Sequence, residues 1–139
     1  MARQSVLFLC TGNSARSQMA EGLLRSLAGA RFKVFSAGTV ASFVRPQAIA
    51  AMKELGIDIS AHRSKSVNEF MEQSFDYVIT VCDHAAQSCP TFPGVAKRIH
   101  WSIQDPVVMG DDEAQLDAFR LARDDLKNRI QAFVADETD

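Results

Sequence analysis

VLFLCTGNSARSQMAE, residues 6–21, is the stretch on which the reading of this chain turns. Residues 5–9 read as a strand: Val6, Phe8 and Leu9 are good strand formers, and Leu7 keeps the run unbroken, as in a strand buried on both faces. A loop with Gly12 and Asn13 follows. From Arg16 the apolar residues recur at helical spacing, with Met19, Leu23 and Leu27 on one stripe and Ala20 and Leu24 beside it.

The loop between them has the chemistry of an anion cradle. Cys10 and Arg16 form a Cys-x5-Arg pattern, and in a tight turn the backbone N–H groups of Thr11, Gly12, Asn13, Ser14, Ala15, Arg16 and Ser17 can converge as a nest. The amino end of the helix adds partial positive charge, and the planar guanidinium of Arg16 suits two oxygens of a tetrahedral oxyanion. The same positive field favours a thiolate at Cys10, and Ser17 can donate a hydrogen bond to that sulfur. Asn13 tolerates a left-handed backbone and can brace the loop, while Gly12 allows close approach. A bare Cys-x5-Arg pattern is more often a buried strand end followed by a solvated arginine. Here the preceding strand, the Gly and Asn within the loop and the patterned helix after Arg-Ser supply the context the motif needs.

Working outward, residues 32–36 (FKVFS) form a second strand ended by Ala37-Gly38, and Pro46 suits the first turn of a helix carrying Ile49, Met52 and Leu55 before Gly56. A polar link and a short helix at 67–71 lead to 76–81 (DYVITV), the strongest strand signal. Cys82 ends that strand. Residues 83–93 are small, polar and Pro-containing, so they read as an exposed, mobile loop or a frayed helical turn, with Cys89 inside it. Residues 97–101 (KRIHW) form the last strand, and a loop with Asp105-Pro106 precedes a helix over 112–135 with Leu116, Phe119, Leu126, Ile130 and Phe133 on its buried stripe. Alternation of strands and helices predicts an α/β fold: one three-layer domain over 1–139, with a parallel sheet of about four strands covered on both faces. Such sheets bind ligands beyond the carboxyl ends of their strands, where Cys10, Cys82 and Asp105 all fall.

Composition narrows the function. The chain has 139 residues, 47% hydrophobic content and a formal net charge of -2, which offers no basic surplus for nucleic acid or acidic lipid. The short apolar run near the start is far below a signal peptide or a spanning helix, so the expected location is the cytoplasm. Three cysteines, an odd number, argue against a disulfide framework in a reducing compartment and for chemistry, metal binding or burial. Cys82, Asp83, His84 and Cys89 match no common zinc spacing, so no metal is expected.

Residues 10–22, CTGNSARSQMAEG, resemble the oxyanion loop of the thioredoxin-coupled arsenate reductases, which share a fold with the low-molecular-weight protein tyrosine phosphatases. The resemblance extends over essentially the whole chain: VFSAG at 34–38, the AMKELGIDIS stretch, the pair Cys82 and Cys89, and Asp105-Pro106 stand in the expected order. It implies that Cys10 attacks arsenate, that Cys82 attacks the Cys10 sulfur with release of arsenite, and that Cys89 attacks Cys82. The resulting Cys82–Cys89 disulfide would be reduced by thioredoxin, after the loop rearranges to carry the oxidation outward. Asp105 is a candidate general acid, since a carboxyl beside anionic oxygen keeps its proton more readily; Pro106 alone would justify only a turn, and the resemblance favours the acid. His84 could favour a thiolate at Cys82, but reads first as an exposed residue.

Some members of that family arrange Asn13, Glu21, Ser36 and an Asp at the position of Lys65 around a potassium ion. This chain keeps the first three and has Lys65, so the site is expected to be lost or filled by the ammonium, with no cofactor bound. His62 and His100 read as structural or surface residues, and Trp101 as packing support.

Arsenate is therefore the expected substrate, with phosphate and sulfate as competing oxyanions, thioredoxin as partner and a monomer as the assembly. A low-molecular-weight phosphatase would use Cys10, Arg16 and Asp105 in the same roles. Val107 and Val108, however, follow Asp105-Pro106 where an aromatic would grip a phenyl ring, and a phosphatase has no use for Cys82 and Cys89. That leaves at most a weak side activity on aryl phosphates. A non-enzymatic thiol redox sensor would need an effector surface that a single compact domain does not display.

Overall fold

The computed structural model describes residues 3–107 and 110–136, so Val108 lies outside the described residues. Four strands, β1 (Gln4–Cys10), β2 (Phe32–Gly38), β3 (Tyr77–Thr80) and β4 (Lys97–His100), form one parallel sheet in the order β2-β1-β3-β4. Helix α1 (Arg16–Ala28) joins β1 to β2. Helix α2 (Pro46–Lys53) and a 3-10 helix (Val67–Phe70) lie between β2 and β3, α3 (Asp83–Gln87) lies between β3 and β4, and α4 (Asp112–Asp136) closes the chain.

β1 is central, and Val6, Leu7, Phe8 and Leu9 are completely buried, as an uninterrupted apolar run requires when both faces are covered. Strand alternation sorts the aromatic residues into two layers. On one face Phe32 and Tyr77 meet Phe133 of α4 at ring-centroid distances of 5.5 and 5.1 Å, and Trp101 packs between Phe8 and Phe133. On the other, Phe35 meets Phe70 and Phe75 edge-on at 5.8 and 5.6 Å, and Phe92 extends the cluster through Phe75. Helices α1 and α4 pack together, and α1 lies on β1 and β2, whereas α3 rests on β1 and β3. At Gly22 of α1 an added Cβ would come within 2.8 Å of Ile59, so the absence of a side chain sets how closely this segment approaches the helix.

Several boundaries differ from those read in the sequence. β2 runs through Ala37 and Gly38, because Gly38 pairs with Cys10 and bridges to Ser66. α2 stops at Lys53, and a turn leads to Gly56, whose φ of 75° ends any helical path. Leu27, placed on the buried stripe of α1, is 50% exposed in the last turn and lines a groove with Leu23, Leu55, Ile57 and Ile130. Of the loop or frayed helical turn read for 83–93, the structure has a short helix at the start, Asp83–Gln87, with Cys82 accepting from Ala85 N as its cap. All strands point the same way, so Cys10, Gly38, Val81-Cys82 and the chain after β4 gather at one edge of the sheet.

Candidate active site

The cradle begins where β1 ends. Cys10 is buried, and its Sγ lies 2.8 Å from Ser17 Oγ in the first turn of α1. Between them Asn13 adopts φ 47°, the left-handed conformation that lets the backbone double back. Gly38 at the end of β2 presses on the turn from behind. An added Cβ there would lie 2.6 Å from the Thr11 carbonyl oxygen and 2.7 Å from Asn13 N, so only glycine fits against the cradle.

Asn13 is fully buried and uses every hydrogen-bonding position of its amide. Its Nδ2 donates to Ser17 Oγ at 2.7 Å and to Ser36 Oγ at 3.0 Å, and its Oδ1 accepts from Gln18 Nε2 at 2.8 Å and Lys65 N at 2.9 Å. With Ser17 Oγ accepting from Asn13, the Ser17 hydroxyl proton is free to point at the Cys10 sulfur. By the same logic the Ser36 hydroxyl donates to Glu21. One side chain thus orients the donor beside the nucleophile and ties the loop to β2, α1 and the 63–65 segment.

Glu21 is buried beside two cations and an imidazole. Arg25 Nη2 lies 2.6 Å from its carboxylate, Lys65 Nζ 3.8 Å and His62 Nε2 3.9 Å. Lys65 Nζ also donates to the Arg63 carbonyl at 2.8 Å. Burial pushes the Lys65 ammonium below its ordinary pKa, and Glu21 offsets only part of that. The oxygens expected around a potassium ion are engaged by protein donors, and an ammonium stands beside the carboxylate. His62 is held by Gln18 Oε1, 2.9 Å from Nδ1, and by Arg25 Nη1, 3.3 Å from Nε2. Gln18 Nε2 is itself a donor, so His62 Nδ1 carries a proton, and Nε2 faces a guanidinium. Burial lowers the His62 pKa below 6.5; Glu21 opposes the shift, while Arg25 and Lys65 reinforce it.

Cys82 is buried at the end of β3, with Sγ 3.4 Å from Thr11 Oγ1. The same sulfur caps α3 by accepting from Ala85 N at 3.4 Å. Cys89 lies past the far end of α3, half-buried, where Arg98 Nη1 of β4 donates to its Sγ at 3.0 Å. All three thiols are free. Cys82 and Cys89 thus stand at opposite ends of α3. His84 is exposed, whereas His100 stitches the segment down: its Nε2 lies 2.9 Å from Asp83 Oδ1 and its Nδ1 2.8 Å from Thr80 Oγ1. Hydrogen bonds from His100 and then Ser102 hold the Asp83 carboxyl below its usual range.

Over the cradle lies a pocket of about 190 Å³ lined by Cys10, Thr11, Gly12, Ser14, Ala15, Arg16, Arg45, Asp105 and Val107. The side chains of Asn13 and Ser17 stand behind this lining, joined to each other and through Ser17 to Cys10. Arg16 is held from the β4 side by the Ile103 carbonyl, 3.1 Å from Nη1. Asp105 is exposed on the pocket wall, and its Oδ1 accepts from Val107 N at 3.0 Å, so it both makes a turn and faces the site. Arg45, Gln18, Arg98 and His100 also contact these residues, and no sequence motif marks them. Among the described residues no group of three or more His, Cys, Asp or Glu side chains could hold a metal ion, and no helix is long and apolar enough to cross a membrane.

This geometry has clear relatives. Residues 5–138 match the model of the low molecular weight phosphotyrosine protein phosphatase family. An arsenate reductase of Halalkalibacterium halodurans is 45% identical over 134 residues, 96% of either chain. Among solved structures, an arsenate reductase in a phosphate-binding state superposes with a TM-score of 0.76 at 33% identity, covering 96% of this chain and 98% of that one. A thioredoxin-dependent arsenate reductase of Corynebacterium glutamicum gives a TM-score of 0.75 at 30% identity, covering 96% of this chain and 61% of that one. The chain belongs to the low molecular weight phosphotyrosine protein phosphatase family, within which the curated relatives it resembles are named arsenate reductases.

Proposed function

We propose that this chain reduces arsenate to arsenite, with thioredoxin as the external reductant. The observation that carries the reading is a second buried sulfur, Cys82, hydrogen-bonded to the Thr11 hydroxyl beside the Cys10 cradle, with a third thiol beyond the short helix that Cys82 caps. The names of the relatives support it.

The proposed steps balance as follows. Arsenate sits in the cradle on backbone N–H groups and Arg16. The Cys10 thiolate attacks arsenic, and Asp105 gives a proton to the departing hydroxyl, which leaves as water. The Cys82 thiolate then attacks Cys10 Sγ. The sulfur–arsenic bond breaks with its electron pair passing to arsenic, so arsenate becomes arsenite while two thiols become a disulfide. Cys89 attacks Cys82 Sγ, freeing the Cys10 thiolate, and the Cys82–Cys89 disulfide passes to a thioredoxin dithiol. Every named group comes from one chain, so one domain acting as a monomer suffices.

A phosphatase would stop after the first attack and pass its intermediate to water. The family supports a weak aryl phosphate activity, but Val107 on the pocket wall gives a phenyl ring no aromatic partner. Steady-state assays separate the readings. Arsenate should stimulate thioredoxin-dependent NADPH oxidation, and Cys10→Ser, Cys82→Ser and Cys89→Ser should each abolish turnover. Phosphate release from an aryl phosphate that outpaces arsenate reduction would favour the phosphatase. The Lys65 ammonium takes the place of a potassium ion in bracing Glu21, so potassium should raise activity and melting temperature no more than sodium does. A potassium-specific rise would overturn that point.

A further inference from the structure

The oxyanion pocket contains a second guanidinium that the Cys-x5-Arg motif does not account for. Arg45 lies at the end of the connection from β2 to α2, and Pro46 beside it keeps its backbone extended, at φ -68° and ψ 136°. Its N–H donates to the Ser14 carbonyl at 2.9 Å, which fastens this connection to the cradle itself. The side chain lines the pocket with Cys10, Arg16 and Asp105, and its guanidinium carbon lies 5.4 Å from the centre of the Phe43 ring. Nε is buried and has no hydrogen-bond partner among the described residues. Because Nε is shut off from the pocket as well as from protein acceptors, the groups of Arg45 that an oxyanion in the pocket can reach are the Nη ends of the fork.

We propose that Arg45 is a substrate-binding residue: its guanidinium holds oxygens of the bound tetrahedral oxyanion that the loop amides and Arg16 leave free. The Phe43 ring keeps the planar fork at the pocket wall, since a guanidinium stacks on an aromatic face while its edge stays free to donate. Two guanidiniums on one small ligand select doubly charged, fully oxygenated anions, the class of arsenate, phosphate and sulfate. This deepens the reading above and rests on the same pocket.

The test uses inorganic phosphate as probe, titrated calorimetrically into reduced wild type, Arg45→Gln and Arg45→Lys, with arsenate kinetics alongside. Loss of a charge-assisted hydrogen-bond donor should weaken phosphate about tenfold in Arg45→Gln. Arg45→Lys should recover part of that loss, because a positive charge remains. Arsenate KM should rise by more than kcat falls. Equal phosphate affinity in wild type and Arg45→Gln would overturn the proposal. So would equal weakening in Arg45→Gln and Arg45→Lys together with a lowered melting temperature, which would make the side chain a scaffold for the loop. The titration needs no turnover, so a wild type that binds phosphate through Arg45 yet fails to reduce arsenate would sink the reductase reading and leave this one standing.

Discussion

At the scale of single residues, the site depends on Asn13 more than on its exposure to substrate would suggest. Its amide fills the hydrogen-bonding needs of Ser17, Ser36, Gln18 and the Lys65 backbone, and its own φ is positive. Asn13→Ala would leave several buried polar groups unpaired in a conformation alanine resists, and should cost roughly 3 kcal/mol or more in urea denaturation. Arsenate turnover should fall further than stability explains, because Ser17 would lose the partner that directs its proton to Cys10. A loss below ~1 kcal/mol with unchanged turnover would show the network to be dispensable. The Cys-x5-Arg loop was legible in the sequence because its residues are contiguous and each has a local reason to be there. Arg45 was not: before Pro46 the sequence says only that the backbone is extended, and nothing local says that the side chain reaches the cradle. Gln18 was hidden for the same reason, since its partners Asn13, Arg63 and His62 come from two segments.

At the scale of elements, the proposed relay places its movement in α3. It is a five-residue helix whose amino end is capped by the Cys82 sulfur, and whose position is fixed by His100 on Asp83. Once that sulfur enters a disulfide with Cys89, the cap weakens, and Cys89 must leave Arg98. Amide exchange over 84–88 should therefore be faster in the Cys82–Cys89 oxidised protein than in the reduced one, while α1 and α4 exchange alike in both. Equal protection of α3 in the two states would contradict an unwinding step. The short length and polar make-up of this segment made a loop or a frayed turn the natural sequence reading. The helix exists because a cysteine does the capping that serine or aspartate ordinarily does, a role that propensity alone does not assign. The strands were more readily found, since apolar runs such as 76–81 carry their burial in their composition.

At the scale of the whole molecule, the sheet edge and the helical layer serve different ends. The carboxyl edge brings Cys10 and Cys82 together, with Cys89 past the far end of α3, whereas α4 is fastened to α2 by Glu54, which accepts from Arg120 Nη2 at 2.6 Å and Arg123 Nη1 at 2.8 Å. Hydrogen bonds from Arg120 and then Arg123 lower the Glu54 pKa from 4.5 to about 2. Because the folded value lies below the unfolded one, this contribution is fully present above 4.5 and is lost as pH falls toward about 2. Glu54→Gln should therefore differ most from wild type above 4.5, and the two should converge in acid, as followed by urea denaturation across that window. A constant difference at every pH would show that packing, and not the carboxylate, holds α2 to α4. The fold class and the single parallel sheet were legible from the alternation of elements. The pairing of Glu54 with α4 was not, since it joins surfaces far apart in sequence.

The destination of the electrons separates a reductase from a phosphatase. Reduced protein mixed with one equivalent of arsenate, without thioredoxin, and then alkylated and mapped by mass spectrometry should give one equivalent of arsenite, a Cys82–Cys89 disulfide and a free, alkylated Cys10. Recovery of all three cysteines as alkylated thiols, with the arsenate unreduced, would contradict it.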